Sequence, residues 1–287
     1  MKMPDLPANQ SKNRNFMESA SCRRLEEIMK IAVCVKHVPI SENVEVDENN
    51  RLVRDNAESD TNPCDLNAME TALRLKQEAG GTIDVYSMGP ENAMASLKKC
   101  LAMGADKACL ISGRKFAGGD TLGTARVLAE AIQKQGEYDV VFTGSESSDG
   151  GTGQVGPMLA ELLHMPDVSE TVEVKAGNGL LNVKKRVEGG NLLLSVKMPV
   201  LLTVPFGCNE PTLPTLRTQR KANRAEIPVV GEDDLDLSAE TIGEKGALSI
   251  VTGLEAASGG NSAEKISGSD DEIAAKLYEL LEEGRNR

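Results

Sequence analysis

The chain has 287 residues and carries 44 acidic against 32 basic side chains, for a formal net charge of −12. This balance argues against a phosphate backbone as partner, so we expect no binding of nucleic acid. Aromatic residues make up only 2% of the chain and Trp is absent, which excludes aromatic stacking platforms and favours the aliphatic cores of open parallel α/β sheets. The length suits one large domain with an appendage, or two medium domains.

The number and spacing of the cysteines and histidines limit the chemistry that the sequence predicts and indicate a cellular compartment. The six cysteines are scattered without CxxC spacing, which indicates reduced thiols in a cytoplasmic protein. Only two histidines are present, so we expect no metal site and no catalytic side chain, and any redox chemistry would be a cofactor's. No apolar stretch approaches the roughly 18 residues of a membrane span, so we expect no membrane insertion. The polar residues 1–28 are predicted to be a disordered extension.

Strand-like and helix-like segments alternate from Lys30 onward. Apolar runs predict buried strands at 30–35, 82–88, 109–111 and 138–143. Apolar residues at helical spacing predict helices over 64–78, from Gly89-Pro90 through 103, and over 120–135. Such alternation favours right-handed parallel crossovers. The predicted fold class is therefore α/β, with a doubly wound, mostly parallel sheet.

The second half of the chain changes character twice. After a helix that runs to about His164, four segments predict added strands, some of them hairpins, at 168–176, 179–187, 190–198 and 200–206. From Cys208 the sequence is predicted to be an exposed arm. Near the C-terminus, Ser269 and Glu272 predict a helix-capping box, followed by an apolar stripe of Ile273, Leu277, Leu280 and Leu281. We expect an α/β domain over 29–230 and a C-terminal arm and helix over 231–287.

A glycine-rich loop follows the strand predicted at 138–143. It reads GSESSDGGTGQV from Gly144 to Val155 and leads into an amphipathic helix that is predicted to begin near Thr152. Ligands of open α/β sheets bind at the carboxyl ends of strands, and a helix N-terminus favours phosphate. A phosphate or pyrophosphate would fit there. Since neither GxGxxG nor GxxxxGK[ST] is present, the alternative is that the glycines turn the chain and Asp149 or Thr152 caps the helix.

Two further strand ends are predicted to face the same crevice, the segment 33–38 and the segment 86–90. Asn62 and Pro63 open a helix nearby. The Asn62 amide would suit an adenine or a ribose, although it equally suits a helix cap. Cys64 has no histidine close in sequence to activate it, so it is interpreted as a small buried hydrophobe.

Several motifs spread over the chain carry a family resemblance. They are VCVKHVP at 33–39, NPCDLNAMETALRLK at 62–76, SMGPENA at 87–93, LAMGAD at 101–106, the loop at 144–157 and NEP at 209–211. Together, over roughly residues 29–255, they resemble the β subunit of an electron-transfer flavoprotein. The resemblance implies a fold of the adenine-nucleotide α-hydrolase-like type and a heterodimer with an α subunit that carries FAD on a mobile domain.

The resemblance also implies a nucleotide in this chain. Carried over by motif, its contacts are Cys34, Asn62, Pro63, Cys64, Asp65, Met88, Gly144, Ser145, Glu146, Ser147, Ser148, Asp149, Gly150, Gly151, Thr152, Gly153, Gln154 and Val155. Members of the family hold either structural AMP or a second FAD, which takes hydride from NADH and bifurcates its electrons. The stretches at 36–39 and 149–157 are similar to the bifurcating group, which favours FAD. That group usually has an Arg-Gln pair where this chain has Ser145-Glu146, a replacement that bears on the flavin potential.

The segment 209–224 corresponds to the family's recognition loop, which implies docking to a dehydrogenase, by analogy an acyl-CoA dehydrogenase-like one. The residues expected to bind this partner are Leu213, Leu216, Arg217, Arg220, Lys221 and Arg224. A basic loop on an acidic protein would steer an acidic partner toward it, and the alternative is a solvated charged face. A competing class is a free-standing nucleotide-binding regulator of the stress-protein type, which would work without an α subunit.

Overall fold

A computed structural model describes residues 28–40, 59–250 and 265–285. The chain divides into two units, one that ends at Ile250 and one that holds the C-terminal residues, and each is described by itself. Except for Ile28, the extension predicted at 1–28 lies outside the described residues.

The described strands follow one another in this order: β1 (Lys30–Cys34), β2 (His37–Pro39), β3 (Ser59–Thr61), β4 (Thr82–Met88), β5 (Lys107–Ile111), β6 (Val140–Gly144), β7 (Asp167–Val168), β8 (Thr171–Gly177), β9 (Leu180–Val187), β10 (Gly190–Val196), β11 (Val200–Val204) and β12 (Val229–Val230). The described α-helices are α1 (Pro63–Ala79), α2 (Met94–Met103), α3 (Thr121–Gln135), α4 (Val155–Leu162), α5 (Leu216–Asn223), α6 (Gly243–Gly246) and α7 (Asp270–Arg285).

Seven parallel strands form the central sheet in the order β12-β5-β4-β1-β6-β11-β7. Helices α1 and α2 pack on one face against Ile31 and Val33, and α3 and α4 pack on the other face around Ala32 and Val141. Aliphatic side chains predominate in both layers, as the low aromatic content predicts. The predicted doubly wound α/β fold is confirmed.

The chain changes direction across the sheet between β1 and β6. From β1 it winds outward through β4 to β5, and α3 then returns it to β6 on the other side of β1. The connections after these two neighbouring strands therefore leave in opposite directions and open a crevice at their carboxyl ends. This crevice lies where the predicted ligand-binding loop begins.

The predicted hairpins are also confirmed, since β8, β9 and β10 form a separate antiparallel sheet. Asn178 and Gly179 connect β8 to β9, and both have positive φ, of 52° and 73°. A two-residue turn of this kind matches the right-handed twist of the flanking strands.

Two helix boundaries and one strand differ from the sequence-based expectations. The helix predicted to begin near Thr152 begins at Val155, because Gly151 and Gly153 have φ angles of 60° and 63° that a right-handed helix excludes. The same helix ends at Leu162, two residues before His164, which has a positive φ of 55°. Within the predicted exposed arm, β12 pairs with β5 and extends the central sheet, a strand too short for a periodic signal.

The C-terminal unit contains α7, whose first turn carries half of the predicted capping box. The Glu272 carboxylate accepts hydrogen bonds from the Ser269 backbone N–H at 2.8 Å and from its hydroxyl at 3.0 Å. Leu277, Leu280 and Leu281 of the predicted stripe are at least 45% exposed. No helix among the described residues has both the length and the apolar content needed to cross a membrane.

Candidate functional site

A buried carboxylate joins the two strands that border the crevice. Asp65, in the first turn of α1, accepts hydrogen bonds from the Lys36 backbone N–H at 2.7 Å and from the Gly144 backbone N–H at 3.0 Å. Lys36 follows β1 and Gly144 ends β6. A Cβ at position 144 would collide with Asp65 Oδ1 and lie 2.7 Å from Cys64 Cβ. Glycine is therefore needed at the start of the loop for close approach to α1.

Asp65 also has an unusual electrostatic setting. Burial raises the pKa of Asp65 to about 7, and the hydrogen bonds from Lys36, Asn62 and Gly144 act in the opposite direction because they favour the ionised form. Burial outweighs these hydrogen bonds, so the folded protein favours the protonated form of Asp65 more strongly than the unfolded chain does.

Asn62 fastens the first part of the loop. Its side-chain amide donates to the Glu146 carbonyl at 2.8 Å and accepts from the Ser148 backbone N–H at 3.1 Å. Asn62 is 1% exposed and makes no side-chain cap to α1. The helix-cap alternative is therefore wrong for this residue, and Pro63 at the first helical position starts α1 without a side-chain cap.

Lys36 holds the middle of the loop from the β1 side. Its ammonium lies 2.7 Å from Asp149 Oδ1 and 3.3 Å from Ser147 Oγ. Although burial acts to raise it, the pKa of Asp149 is held below its ordinary value by the hydrogen bond and the charge of Lys36. Asp149 is therefore an ion-pair partner and not the cap of α4. The prediction of contact residues missed Lys36, because a lysine after a strand gives no signal of a partner 113 residues away.

The end of the loop presents free backbone donors. The N–H groups of Thr152, Gly153 and Gln154 donate to no acceptor among the described residues, and they precede the N-terminus of α4. The Gln154 side chain accepts a hydrogen bond from Thr121 Oγ1 at 2.9 Å, which brings the N-terminus of α3 to the same place. The N-terminus of α4 and the unpaired N–H groups before it suit an anion, whereas the N-terminus of α3 is capped by the Asp120 carboxylate, which accepts the Gly123 backbone N–H at 2.9 Å. Thr121 also escaped the sequence prediction.

The remaining predicted contact residues lie in or near the β1–β6 crevice. Cys34 and Cys64 are 7% and 6% exposed, and Cys64 receives the Ser145 hydroxyl at 3.9 Å, which confirms Cys64 as a small buried side chain. Burial raises the pKa of Cys34 to about 12, so it remains a thiol. Met88 ends β4, the neighbour of β1, and is partly buried. The structure thus gathers 62–65, 144–155 and Cys34 at one crevice, with Met88 one strand away.

The segment 209–224 is anchored at its base by the same helix α1. The Asn67 amide donates to Asn209 Oδ1 at 2.8 Å, and Asn67 Oδ1 accepts from the Gly207 backbone N–H at 3.1 Å. One turn further along α1, the Glu70 carboxylate accepts the Thr212 backbone N–H at 2.9 Å. These contacts hold the backbone of the segment next to the start of α1, which borders the β1–β6 crevice.

Beyond its base the segment is exposed. Leu213 and Leu216 are 86% and 82% exposed, and Thr215 caps the following helix α5 by accepting the Thr218 backbone N–H. The predicted cations lie along α5 and beside Leu216, around a shallow surface depression of about 620 Å³ lined by Leu216, Arg217, Arg220, Lys221 and Arg224. The structure thus brings five of the six predicted partner-binding residues together, with Leu213 nearby in the chain.

Comparisons with known proteins agree with this architecture. The profile of the electron transfer flavoprotein domain matches residues 50–235. The chain is 38% identical over 255 residues to the electron transfer flavoprotein subunit beta of Thermoanaerobacterium thermosaccharolyticum, covering 88% of this chain and 98% of that protein. It is 35% identical over 258 residues to the caffeyl-CoA reductase-Etf complex subunit CarD of Acetobacterium woodii, covering 89% and 98%. It is 40% identical over 232 residues to Protein FixA of Azotobacter vinelandii, covering 78% and 83%.

Proposed function

Because this chain belongs to the electron transfer flavoprotein β-subunit family, we propose that it anchors FAD at the β1–β6 crevice, in a cytoplasmic heterodimer with an FAD-bearing α subunit. In this proposal electrons pass between NADH or a dehydrogenase and downstream acceptors. A bound FAD supplies both hydride and single-electron chemistry. The side chains of this chain bind and orient the cofactor and perform no bond chemistry.

The observation that carries the proposal is the set of contacts that fixes the 144–149 loop to the end of β1 and to the start of α1. Asp65 holds the start of the loop, Asn62 holds its next turn, and Lys36 holds Asp149. Asn62 and Asp65 lie at the start of α1, and Lys36 follows β1. All three anchors therefore lie at the β1 side of the crevice. A loop that is fixed at this switch point in an open α/β sheet has the geometry of a nucleotide site.

The chemistry of the donors fits the diphosphate of a dinucleotide. The N–H groups of residues 152–154, which donate to no acceptor among the described residues, precede the N-terminus of α4, and such groups favour negative charge. Lys36 supplies a cation at the middle of the loop, where it is paired with Asp149. We assign the phosphate contacts to residues 150–154 and the adenosine contacts to Cys34, Met88 and residues 62–65.

The choice of FAD over AMP rests on the likeness of residues 36–39 and 149–157 to the bifurcating group. With FAD in this chain, hydride from NADH would enter here, and one electron would pass to the FAD of the α subunit and the other to a low-potential acceptor. With AMP, the chain would be a structural scaffold of the heterodimer. Both forms use the same adenosine and phosphate contacts.

We assign dehydrogenase docking to the 209–224 segment. Its exposed Leu213 and Leu216 stand beside a cluster of cations on a protein whose formal net charge is −12. A relative that is 40% identical over 178 residues is named as an acryloyl-CoA reductase electron transfer subunit, which supports an acyl-CoA dehydrogenase-like partner. An exposed recognition segment of this kind has no use in a free-standing regulator of the stress-protein type.

A nucleotide count tests the proposal. The chain is co-expressed with its α subunit, the purified heterodimer is denatured, and the released nucleotides are quantified by chromatography and absorbance. We expect two FAD per heterodimer. One FAD and one AMP would refute the FAD assignment and leave a scaffold. An isolated homodimer that holds ATP would support the regulator class instead.

The assigned site has its own test. Asp149→Ala removes the partner of Lys36 and is expected to lower nucleotide retention after gel filtration several-fold, whichever nucleotide is bound. Glu173→Ala is the matched control, because Glu173 is also paired with a lysine at 2.7 Å but lies on β8. Equal retention by the two variants would contradict the assignment.

A further inference from the structure

Two short strands carry two of the residues that hold the 144–155 loop. β2 and β3 form an antiparallel ribbon in which His37 is paired with Thr61. Lys36 precedes His37 and Asn62 follows Thr61, and both hold the loop by side-chain hydrogen bonds. A backbone hydrogen bond from the Asn62 N–H to the Lys36 carbonyl, at 2.9 Å, closes this end of the ribbon. The position of the β2–β3 ribbon therefore sets where both anchors meet the loop.

A buried serine of α2 contacts both paired residues of the ribbon. Ser96 is 1% exposed, and its Oγ accepts a hydrogen bond from Thr61 Oγ1 at 2.9 Å and lies 2.9 Å from His37 Nδ1. Because the Ser96 oxygen accepts the Thr61 proton, its own proton is available to a neutral His37 ring. Burial lowers the pKa of His37, although the charge of Asp60 acts in the opposite direction, so the neutral ring is favoured.

The other polar contact between α2 and the ribbon is more exposed. The Lys99 ammonium lies 2.6 Å from Asp60 Oδ2 and 2.8 Å from Asp60 Oδ1. These two side chains are 31% and 48% exposed, and ion pairs in contact with solvent contribute little to stability. A buried hydroxyl that loses its partner, by contrast, carries the full cost of its desolvation. Ser96 is therefore the stronger attachment of the ribbon to α2.

We infer that Ser96 and Thr61 are positioning residues of the nucleotide crevice, because their hydrogen bond holds the β2–β3 ribbon on α2 and thereby fixes Lys36 and Asn62 against the loop. The inference rests on the proposed binding of a nucleotide at the β1–β6 crevice. It applies to AMP and to FAD, since both use the same adenosine and phosphate contacts. Ser96 and Thr61 act through the two anchors and not by contact with the nucleotide.

Release of AMP from the intact heterodimer tests this inference. Labelled AMP, the half that AMP and FAD share, is exchanged into the heterodimer with its α subunit, and its dissociation rate is measured after dilution into unlabelled AMP. Thr61→Val keeps the shape of the side chain but removes the hydroxyl, and Ser96→Ala removes its partner. Each variant is expected to raise the dissociation rate about fivefold, the effect of losing one buried hydrogen bond.

Three variants serve as controls. Thr61→Ser keeps the hydroxyl and is expected to release AMP at the wild-type rate. Thr171→Val is matched to Thr61→Val, because the buried Thr171 hydroxyl also donates a hydrogen bond, to the Val168 carbonyl at 3.1 Å, but lies on β8. It is expected to lower the urea midpoint as Thr61→Val does and to leave AMP release unchanged. Lys99→Gln is expected to change the rate by less than about twofold.

A double-mutant cycle separates positioning from a general loss of stability. Asp149→Ala removes the group that Lys36 holds, so less of the loop then depends on the position of the ribbon. The combined effect of Ser96→Ala and Asp149→Ala on the dissociation rate should therefore be smaller than the product of the two single effects. Independent sites would give that product, and this result would contradict the inference.

The outcomes also separate this inference from the proposed function. If the wild-type heterodimer binds labelled AMP but Thr61→Val and Ser96→Ala release it at the wild-type rate, the positioning role is wrong and the nucleotide site stands. If the wild-type heterodimer binds no labelled AMP and contains no nucleotide besides the FAD of the α subunit, the nucleotide site is wrong and the positioning role fails with it. Equally fast release from Thr61→Ser and Thr61→Val would assign the effect to the lost methyl packing and overturn the role of the hydroxyl.

Discussion

The 144–155 loop and the 209–224 segment are both anchored by α1, but their exposure to solvent differs. The loop is held along its first half by Asn62 and Asp65, which are 1% and 6% exposed. The 209–224 segment is held only at its base, by Asn67 and Glu70, and leaves its leucines in solvent. Under the proposed assignments, the site for a small ligand is preorganised by buried polar contacts, whereas the site for a protein keeps apolar side chains exposed until the partner covers them.

The largest effect on stability is expected from adding a methyl group at Gly144, where the loop packs tightly against α1. Gly144→Ala places a methyl group against Asp65 and Cys64, and overpacking of this kind costs about 1–3 kcal/mol. We expect a lower urea midpoint for the heterodimer at fixed concentration and a loss of bound nucleotide. Gly190→Ala is the control, because an added Cβ there meets nothing within 4 Å. Equal urea midpoints for the two variants would show that Gly144 is not tightly packed against α1.

A pH-dependent change in stability is expected from Asp65, which contacts Gly144. Because burial raises the pKa of Asp65 to about 7, the folded protein retains a proton on this group over a pH range in which the unfolded chain loses it. The contribution of Asp65 to stability is then fully present below its unfolded pKa and is lost as the pH rises through about 7. Asp65→Asn does not titrate, so the stability of the wild type relative to this variant should fall between about pH 4 and pH 7. A flat difference across this range would contradict the direction of the pKa shift.

The smallest effect on stability is expected from substitutions in the exposed 209–224 segment. Leu213→Ser and Leu216→Ser change side chains that are more than four-fifths exposed, so the urea midpoint should correspond to a change within about 0.5 kcal/mol. Electron transfer to the dehydrogenase should nevertheless show a KM raised about tenfold, because the apolar anchors are lost. Leu193→Ser, on the exposed strand β10, is the control. A lower urea midpoint without a change in KM would indicate that these leucines stabilise the fold and do not bind the dehydrogenase.

Local pattern was sufficient for most of the fold. The apolar runs placed β1, β4, β5 and β6 to within a few residues, because buried parallel strands are continuous apolar segments bounded by turns. The start of α4 was misplaced because Gly151 and Gly153 take left-handed conformations that no periodicity reveals. The short strand β12 was missed because its two residues obtain their pairing from β5, more than 100 residues away.

For the candidate site, the sequence by itself identified the glycine-rich loop, the Asn62 to Asp65 turn and the family to which they belong. Only the tertiary structure showed that Lys36 pairs with Asp149 and that Asp65 bridges β1 and β6. The physical reason is that local propensity and hydrophobic periodicity are read within a few residues. Ion pairs, buried carboxylates and cavities depend instead on which strand ends the crossovers make neighbours.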